Sequence, residues 1–248
     1  ISYDGLAGDV TLEVGVNIDS TYFPDGTFRT RVSQFDTGTD KTGFLTHEEL
    51  KKVTTINISG SSSSPHTCSN LTGVEYFTNL TNLNCSVGSL EKLDISKNTK
   101  LTNLSCNSNQ LTKLDVSKNT LLTSLNVDSN ELTSIDVTKN TELTSLYVSV
   151  NNLTSIDVSK NTKLTALRCQ WNAISNLNVS QNTLLKTLDC AGNKLTSLDV
   201  SKNTDLVTLY CGQNQLTNLN VGALKLLTTF DGAGQKPGAL NMTYNGTQ

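Results

Sequence analysis

Large side chains are scarce in this chain: aromatics make up 5% of its 248 residues, and Trp171 is the single tryptophan. A core gathered around one centre needs more bulk than that, whereas a thin stacked core of Leu, Val, Ile and Cys does not. Histidine is rarer still. Only His47 and His66 are present, both upstream of the repeated part, so the array holds no imidazole to act as general base. No nucleophile elbow or phosphate loop occurs, and no enzymatic role is expected. The formal net charge of −3 provides neither a nucleic-acid field nor a polybasic membrane patch. No apolar run approaches the ~20 residues needed to cross a bilayer. Neither a nucleic-acid partner nor membrane insertion is expected.

What the chain has in abundance is repetition. Rows of 21 residues open at Leu90, Leu111, Leu132, Leu153, Ile174 and Leu195, and a seventh starts at Leu216 before drifting after Gly222. A fixed period over this length signals an array of small units, none able to bury its apolar face alone. Each row carries two segments of the form L-x-x-L-x-V/C, such as LTSLDV and LVTLYC between Leu195 and Cys211. Their period-2 alternation predicts two short parallel strands per coil, with Leu and Val or Cys inward. Asparagine recurs at 109, 130, 151, 172, 193 and 214, and again at 98, 119, 140, 161, 182 and 203. An asparagine amide has donors and acceptors suited to free backbone groups at a bend. The two columns are expected to close the two bends of every coil.

The motif LxxLxCxxNxL, as in LTNLSCNSNQL from Leu101, resembles the leucine-rich repeat. With LxxLDVSxN nested in the same unit, the 21-residue form resembles the bacterial IRREKO repeats, over about residues 71–235. The stretch LTGVEYFTNLTNLNC from Leu71 resembles the first repeat of the internalins, surface adhesins of some Gram-positive bacteria. The resemblance implies a leucine-rich-repeat solenoid, mainly β, with a small α-helical N-terminal cap and a secreted or cell-surface location. The chain opens on Ile1 rather than methionine, as it would after removal of a leader. Residues 1–70 form the cap segment, 71–235 the array, and 236–248 a C-terminal cap or the start of a further domain.

Within the first segment, Phe28, Val32 and Phe35 mark one face of a short helix, and Thr46 with Glu49 forms a capping box ahead of Leu50 and Val53. The intervening FDTGTDKTGFLTHEE resembles an EF-hand loop. With Glu49 as position 12, Asp40 falls at 3 and Thr42 at 5, but position 1 is Gly38 and the nearest acid is Asp36. A calcium loop needs acidic oxygens at 1, 3 and 5, so Asp36, Asp40, Thr42 and Glu49 constitute at most a weak calcium site. The competing reading is a helical lid shielding the first coil's open edge. Apart from calcium there, no cofactor is expected. Residues 53–59 (VTTINIS) already follow the strand pattern, and ALNMTYN at 239–245 alternates like one more strand.

Cys85, Cys106, Cys169, Cys190 and Cys211 share one inward slot, filled in the intervening rows by Val127 and Val148. A slot that exchanges Cys for Val takes a small apolar filler, so these thiols are expected to be free. Spacing of 21 without CxxC also argues against zinc.

The outward position of the LDV segment is nearly constant: Asp94, Asp115, Asp136, Asp157, Asn178 and Asp199. Lysine follows three positions later in five of these rows, so a charge-balanced solvated face is the expected account. The other segment's outward position instead runs Asn84, Ser105, Asn126, Tyr147, Arg168, Asp189, Tyr210, Asp231. The positions after it vary too, giving Asp128, Gln170, Trp171 and Gln213. Tyr, Trp and Arg are enriched at binding hot spots. Tyr147, Arg168, Gln170, Trp171, Asp189, Tyr210 and Gln213 are therefore the candidate ligand-binding residues, for a protein or glycan partner. The alternatives are a surface that drifts without function and a passive spacer presenting another domain. The sequence leaves the oligomeric state open.

Overall fold

The structure, a computed structural model, describes residues 15–37, 42–60, 68–236, 238 and 240–243. Nine three-residue strands stack into one parallel sheet: β3 (Thr55–Asn57), β4 (Asn82–Asn84), β5 (Asn103–Ser105), β6 (Ser124–Asn126), β7 (Ser145–Tyr147), β8 (Ala166–Arg168), β9 (Thr187–Asp189), β10 (Thr208–Tyr210) and β12 (Thr229–Asp231). From β4 to β12 each strand begins 21 residues after the last, and each Leu pairs with the Leu or Phe of its neighbour in unbroken register. Such a shift-free stack follows from identical rows, because any slip would turn the leucine of a strand out of the core.

Ahead of this sheet, β1 (Gly15–Asn17) pairs antiparallel with β2 (Phe44–Thr46), and two short helices, α1 (Gly26–Val32) and α2 (His47–Lys52), flank the connection. Asp25 caps α1, and the expected capping box of Thr46 and Glu49 is formed at α2. Phe28, Val32 and Leu50 are buried in the same cluster as Ile56, Phe77 and the repeat leucines. Phe35 lies in a single 3-10 turn after α1, its ring 5.7 Å from that of Phe77. The cap thus shares one core with the solenoid, as a lid over the first coil must.

The expectation of two strands per coil needs correcting. The segments around Leu93, Leu114, Ile135, Ile156, Leu177 and Leu198 are extended but carry no ladder. Their inward residues are buried as alternation requires, with Val116, Val137 and Val158 fully so. Their hydrogen bonds, however, turn back onto their own coil. The Ser96 N–H donates to Asp94 Oδ1 at 2.9 Å, and the Asn98 N–H to the Ile95 carbonyl at 3.0 Å. The same Asx turn recurs at Asp115, Asp136, Asp157, Asn178 and Asp199. Alternation reports which side chains are inside, while pairing needs backbone donors that are still free, and here local turns onto a side chain and onto a backbone carbonyl compete for them. The charge-balanced face is in fact a row of turn caps. Only the last such segment pairs, β11 (Asn218–Asn220) with β13 (Asn241–Thr243), the latter within the strand expected at 239–245.

Both asparagine columns close bends. At the bend after the strand, Asn151 Nδ2 donates to the Val127 and Val148 carbonyls at 3.0 and 3.2 Å, and its Oδ1 accepts from the Leu132 N–H at 3.0 Å. Gln235 extends this column one coil further with a longer side chain, donating to the Cys211 and Gly232 carbonyls and accepting from the Leu216 N–H. At the other bend, Asn161 Nδ2 donates to the Val137 and Asn140 carbonyls at 3.0 and 2.8 Å. All six cysteines are free and buried. Burial, with the negative field of a nearby aspartate, lifts the Cys169 and Cys211 thiols to about 12.

Candidate functional site

The sheet builds the candidate site by register. On its outer face Asn126, Tyr147, Arg168, Asp189, Tyr210 and Asp231 are successive Cα partners, forming one row. Neighbouring strands sit about 4.8 Å apart, so each side chain touches only the one before and the one after. The Arg168 guanidinium lies 5.1 Å from the Tyr147 ring centroid, a cation–π stack that holds both groups in place. Arg168 is exposed, and among the described residues it makes no ion pair within 4.0 Å. Burial raises the Asp189 carboxyl above its ordinary range, against hydrogen bonding from the Ala191 N–H and the pull of Arg168. Asp128 is raised for the same first reason, although the Ser149 N–H donates to it at 2.6 Å. Ser149 in turn donates from Oγ to Gln170 Oε1 at 2.5 Å, so Gln170 is tied to the scaffold.

Trp171 and Gln213 do not join this row. They sit one bend further on, in a column with Val87, Ser108, Ser129, Val150, Gly192 and Gly234, all at positive φ between 52° and 73°. The candidates therefore fall into two groups: the strand row of Tyr147, Arg168, Asp189 and Tyr210, and the edge column of Trp171 and Gln213. Trp171 is 52% and Val150 48% exposed. Sequence reasoning passed over Val150, Gly192, Gln215 and Lys236, which border Trp171 or its groove. The signal for Val150 was present, since the same slot is held by Ser or Gly in four other rows.

In the cap, Glu49 Oε2 accepts from Thr46 N–H and Oγ1, while its Oε1 accepts from Thr37 N–H and Oγ1. Asp36 Oδ2 accepts from the Gly43 N–H at 3.0 Å. The Asp36 and Glu49 carboxylates thus already accept from protein donors. Asp40 lies outside the described residues.

No family model and no curated protein sequence matches the chain. Solved structures do. Internalin C2 from Listeria monocytogenes aligns with a TM-score of 0.77 at 20% identity, covering 95% of this chain and all of that one. The chain is a leucine-rich-repeat solenoid. A leucine-rich-repeat protein of Leptospira interrogans aligns with a TM-score of 0.68 at 25% identity, over 79% of this chain and 52% of that one. The functional domain of InlJ from Listeria monocytogenes is 27% identical over 91% of this chain, with a TM-score of 0.46. This leucine-rich-repeat chain spans 63% of that domain's length.

Proposed function

We propose that this solenoid is a non-enzymatic binding module, secreted or displayed at a bacterial surface in the manner of an adhesin, with a protein partner held on the strand row. The observation that supports this is the Tyr147–Arg168–Asp189–Tyr210 row itself. It places two tyrosines, a stacked guanidinium without an ion pair and a half-buried carboxylate in fixed register. Aromatic side chains lose little entropy on docking, an arginine already stacked on a ring has less left to lose, and both types dominate binding energy where they are buried. Further support comes from fold neighbours that are internalins. Glu49 serves this module by joining Thr37 to the capping box of α2, where the cap covers the first coil.

The test is capture of secreted and cell-surface proteins by the immobilised chain, followed by affinity measurement with the identified partner. Tyr147→Ala combined with Arg168→Ala is expected to weaken binding by about 2 kcal/mol or more, roughly thirtyfold. Asp136→Ala, on the constant corner, should change nothing. A partner that binds the double variant as well as the parent, or the absence of any partner, would favour the spacer reading instead.

A further inference from the structure

The left-handed column that follows the strands holds residues that such a backbone does not favour. Glycine adopts this conformation freely, and serine is tolerated, but a β-branched or bulky side chain at positive φ is an outlier that calls for a reason. Burial is not the reason for Val150 or Trp171, because both stand half in solvent. The backbone holds them there: the Val150 N–H donates to the Gln170 carbonyl and the Trp171 N–H to the Ala191 carbonyl, both at 2.9 Å. The next coil makes room for the indole. A Cβ on Gly192 would stand 2.6 Å from Trp171 Cε3, so the six-membered ring lies directly across that glycine. One coil further the arrangement repeats in miniature, with Gln213 Cγ 3.1 Å from where a Cβ on Gly234 would stand.

The column thus reads Trp, Gly, Gln, Gly, and it borders an open groove of about 490 Å³ lined also by Asn193, Asn214, Gln215 and Lys236. Asn193 and Asn214 are engaged in the bend ladder, but Gln213 and Gln215 are exposed, and neither side-chain amide has a partner among the described residues. One flat indole, two free amides and a single charge, that of Lys236, is a definite chemistry. The indole offers a π-face to weakly polar C–H groups. Each glutamine amide both donates and accepts, as a pair of vicinal hydroxyls requires. A nucleobase would also stack on the indole, but nucleic acid needs a basic track along its backbone, and this chain is acidic overall with a net charge of −3. A protein hot spot would call for a desolvated pocket rather than an open polar trough.

We infer that this edge is a carbohydrate subsite: a neutral saccharide ring of a glycan lies on the Trp171 indole, with its hydroxyls bonded by Gln213 and Gln215. The site is distinct from the strand row and does not rest on the protein-binding reading.

Because Trp171 is the only tryptophan, intrinsic emission reports this place alone. Maltotriose, cellotriose, laminaritriose and triacetylchitotriose are titrated against the full chain while tryptophan emission is followed. At least one should give a saturable change. The decisive variant is Gly192→Ser. Serine already occupies the same left-handed slot at 108 and 129, so the fold should tolerate it, while the new side chain displaces the indole and weakens saccharide binding tenfold or more. Trp171→Gln, followed by calorimetry, should abolish binding and serves if Gly192→Ser proves unstable. Arg168→Ala should leave the saccharide titration unchanged, which separates this site from the strand row. The inference is overturned if none of the four sugars changes the emission, or if a sugar binds parent and both edge variants alike.

Discussion

Each coil bends twice on an asparagine, and the two bends differ in how fully that residue is bonded. After the strand, Asn151 donates to the Val127, Val148 and Ser149 carbonyls and accepts a leucine N–H. At the opposite bend Asn161 donates to two carbonyls, but its buried Oδ1 finds no partner among the described residues, and the same holds for Asn98, Asn119, Asn140, Asn182 and Asn203. Yet the fully bonded bend is the one whose preceding residue varies, from Val150 through Trp171 to Gly192, while the under-bonded bend is followed by Thr in every row from Asn98 to Asn203. The comparison teaches where variation is cheap. A bend locked by four side-chain bonds and a continuing coil-to-coil ladder can carry any side chain that projects outward, even one that strains its backbone. The other bend depends on a sequence of local turns that few residues make.

The largest effect should come from the asparagines themselves. Asn151→Ala leaves the Leu132 N–H buried without its acceptor, while the Val127 and Val148 carbonyls keep the Asn130 and Asn172 amides. At about 1–3 kcal/mol for the stranded group, with the weaker loss of the shared donor bonds added, the loss should be on the order of 3 kcal/mol. Asn161→Ala strands no carbonyl, since Val137 and Asn140 still accept from the Asn140 and Leu143 N–H groups, and it deletes an unpartnered oxygen, so less than half that loss is expected. Chemical denaturation of both variants checks the order, and equal losses would remove the distinction between the bends.

A smaller effect of opposite sign is expected at Val150. An L-residue held left-handed costs roughly 1–2 kcal/mol, and glycine's extra freedom in the unfolded chain offsets about 0.5–1 of that. Val150→Gly should therefore stabilise the solenoid by about 0.5–1 kcal/mol. Ser159→Gly at the other bend, where φ is not positive, should destabilise by a similar amount. Should Val150→Gly prove destabilising, the valine contributes packing that its exposure conceals.

The smallest effect concerns the capped corner. Hydrogen bonds from the backbone and hydroxyl two residues on hold the Asp94, Asp157 and Asp199 carboxyls below their usual 3.8, and the Asp115 and Asp136 carboxyls likewise, led there by the hydroxyl. A depressed folded-state value stabilises at pH above the unfolded value and is lost as pH falls through the folded one. Stability should thus hold down to about pH 4 and decline below it. Asp157→Asn keeps the acceptor, as Asn178 does. The substitution should leave the melting temperature at pH 7 within about a degree and make the acid decline shallower. An unchanged decline would locate the acid sensitivity elsewhere, Asp25 and Glu49 of the cap being the next candidates, since hydrogen bonds lower both carboxyls against burial.

Much of this molecule was determined by its sequence alone. The 21-residue spacing, the exchange of Cys190 for Val148 in one slot and the paired asparagine columns specify a stacked coil, its buried residues and both its bends, because burial and periodicity are properties of a single row. What the rows do to one another was decided only in three dimensions. The segment at Asp157 alternates like the segment at Tyr147, but it turns back on itself, the Ser159 N–H on the Asp157 carboxylate and the Asn161 N–H on the Val158 carbonyl, and it remains unpaired. Trp171 follows Arg168 by three residues, yet a left-handed turn places it in the edge column, away from the row, and across a glycine supplied by the next coil. Backbone donors and positive φ are settled between coils, where hydrogen bonds compete. A pattern of residue types records the outcome for side chains that must be buried and is silent for those that remain outside.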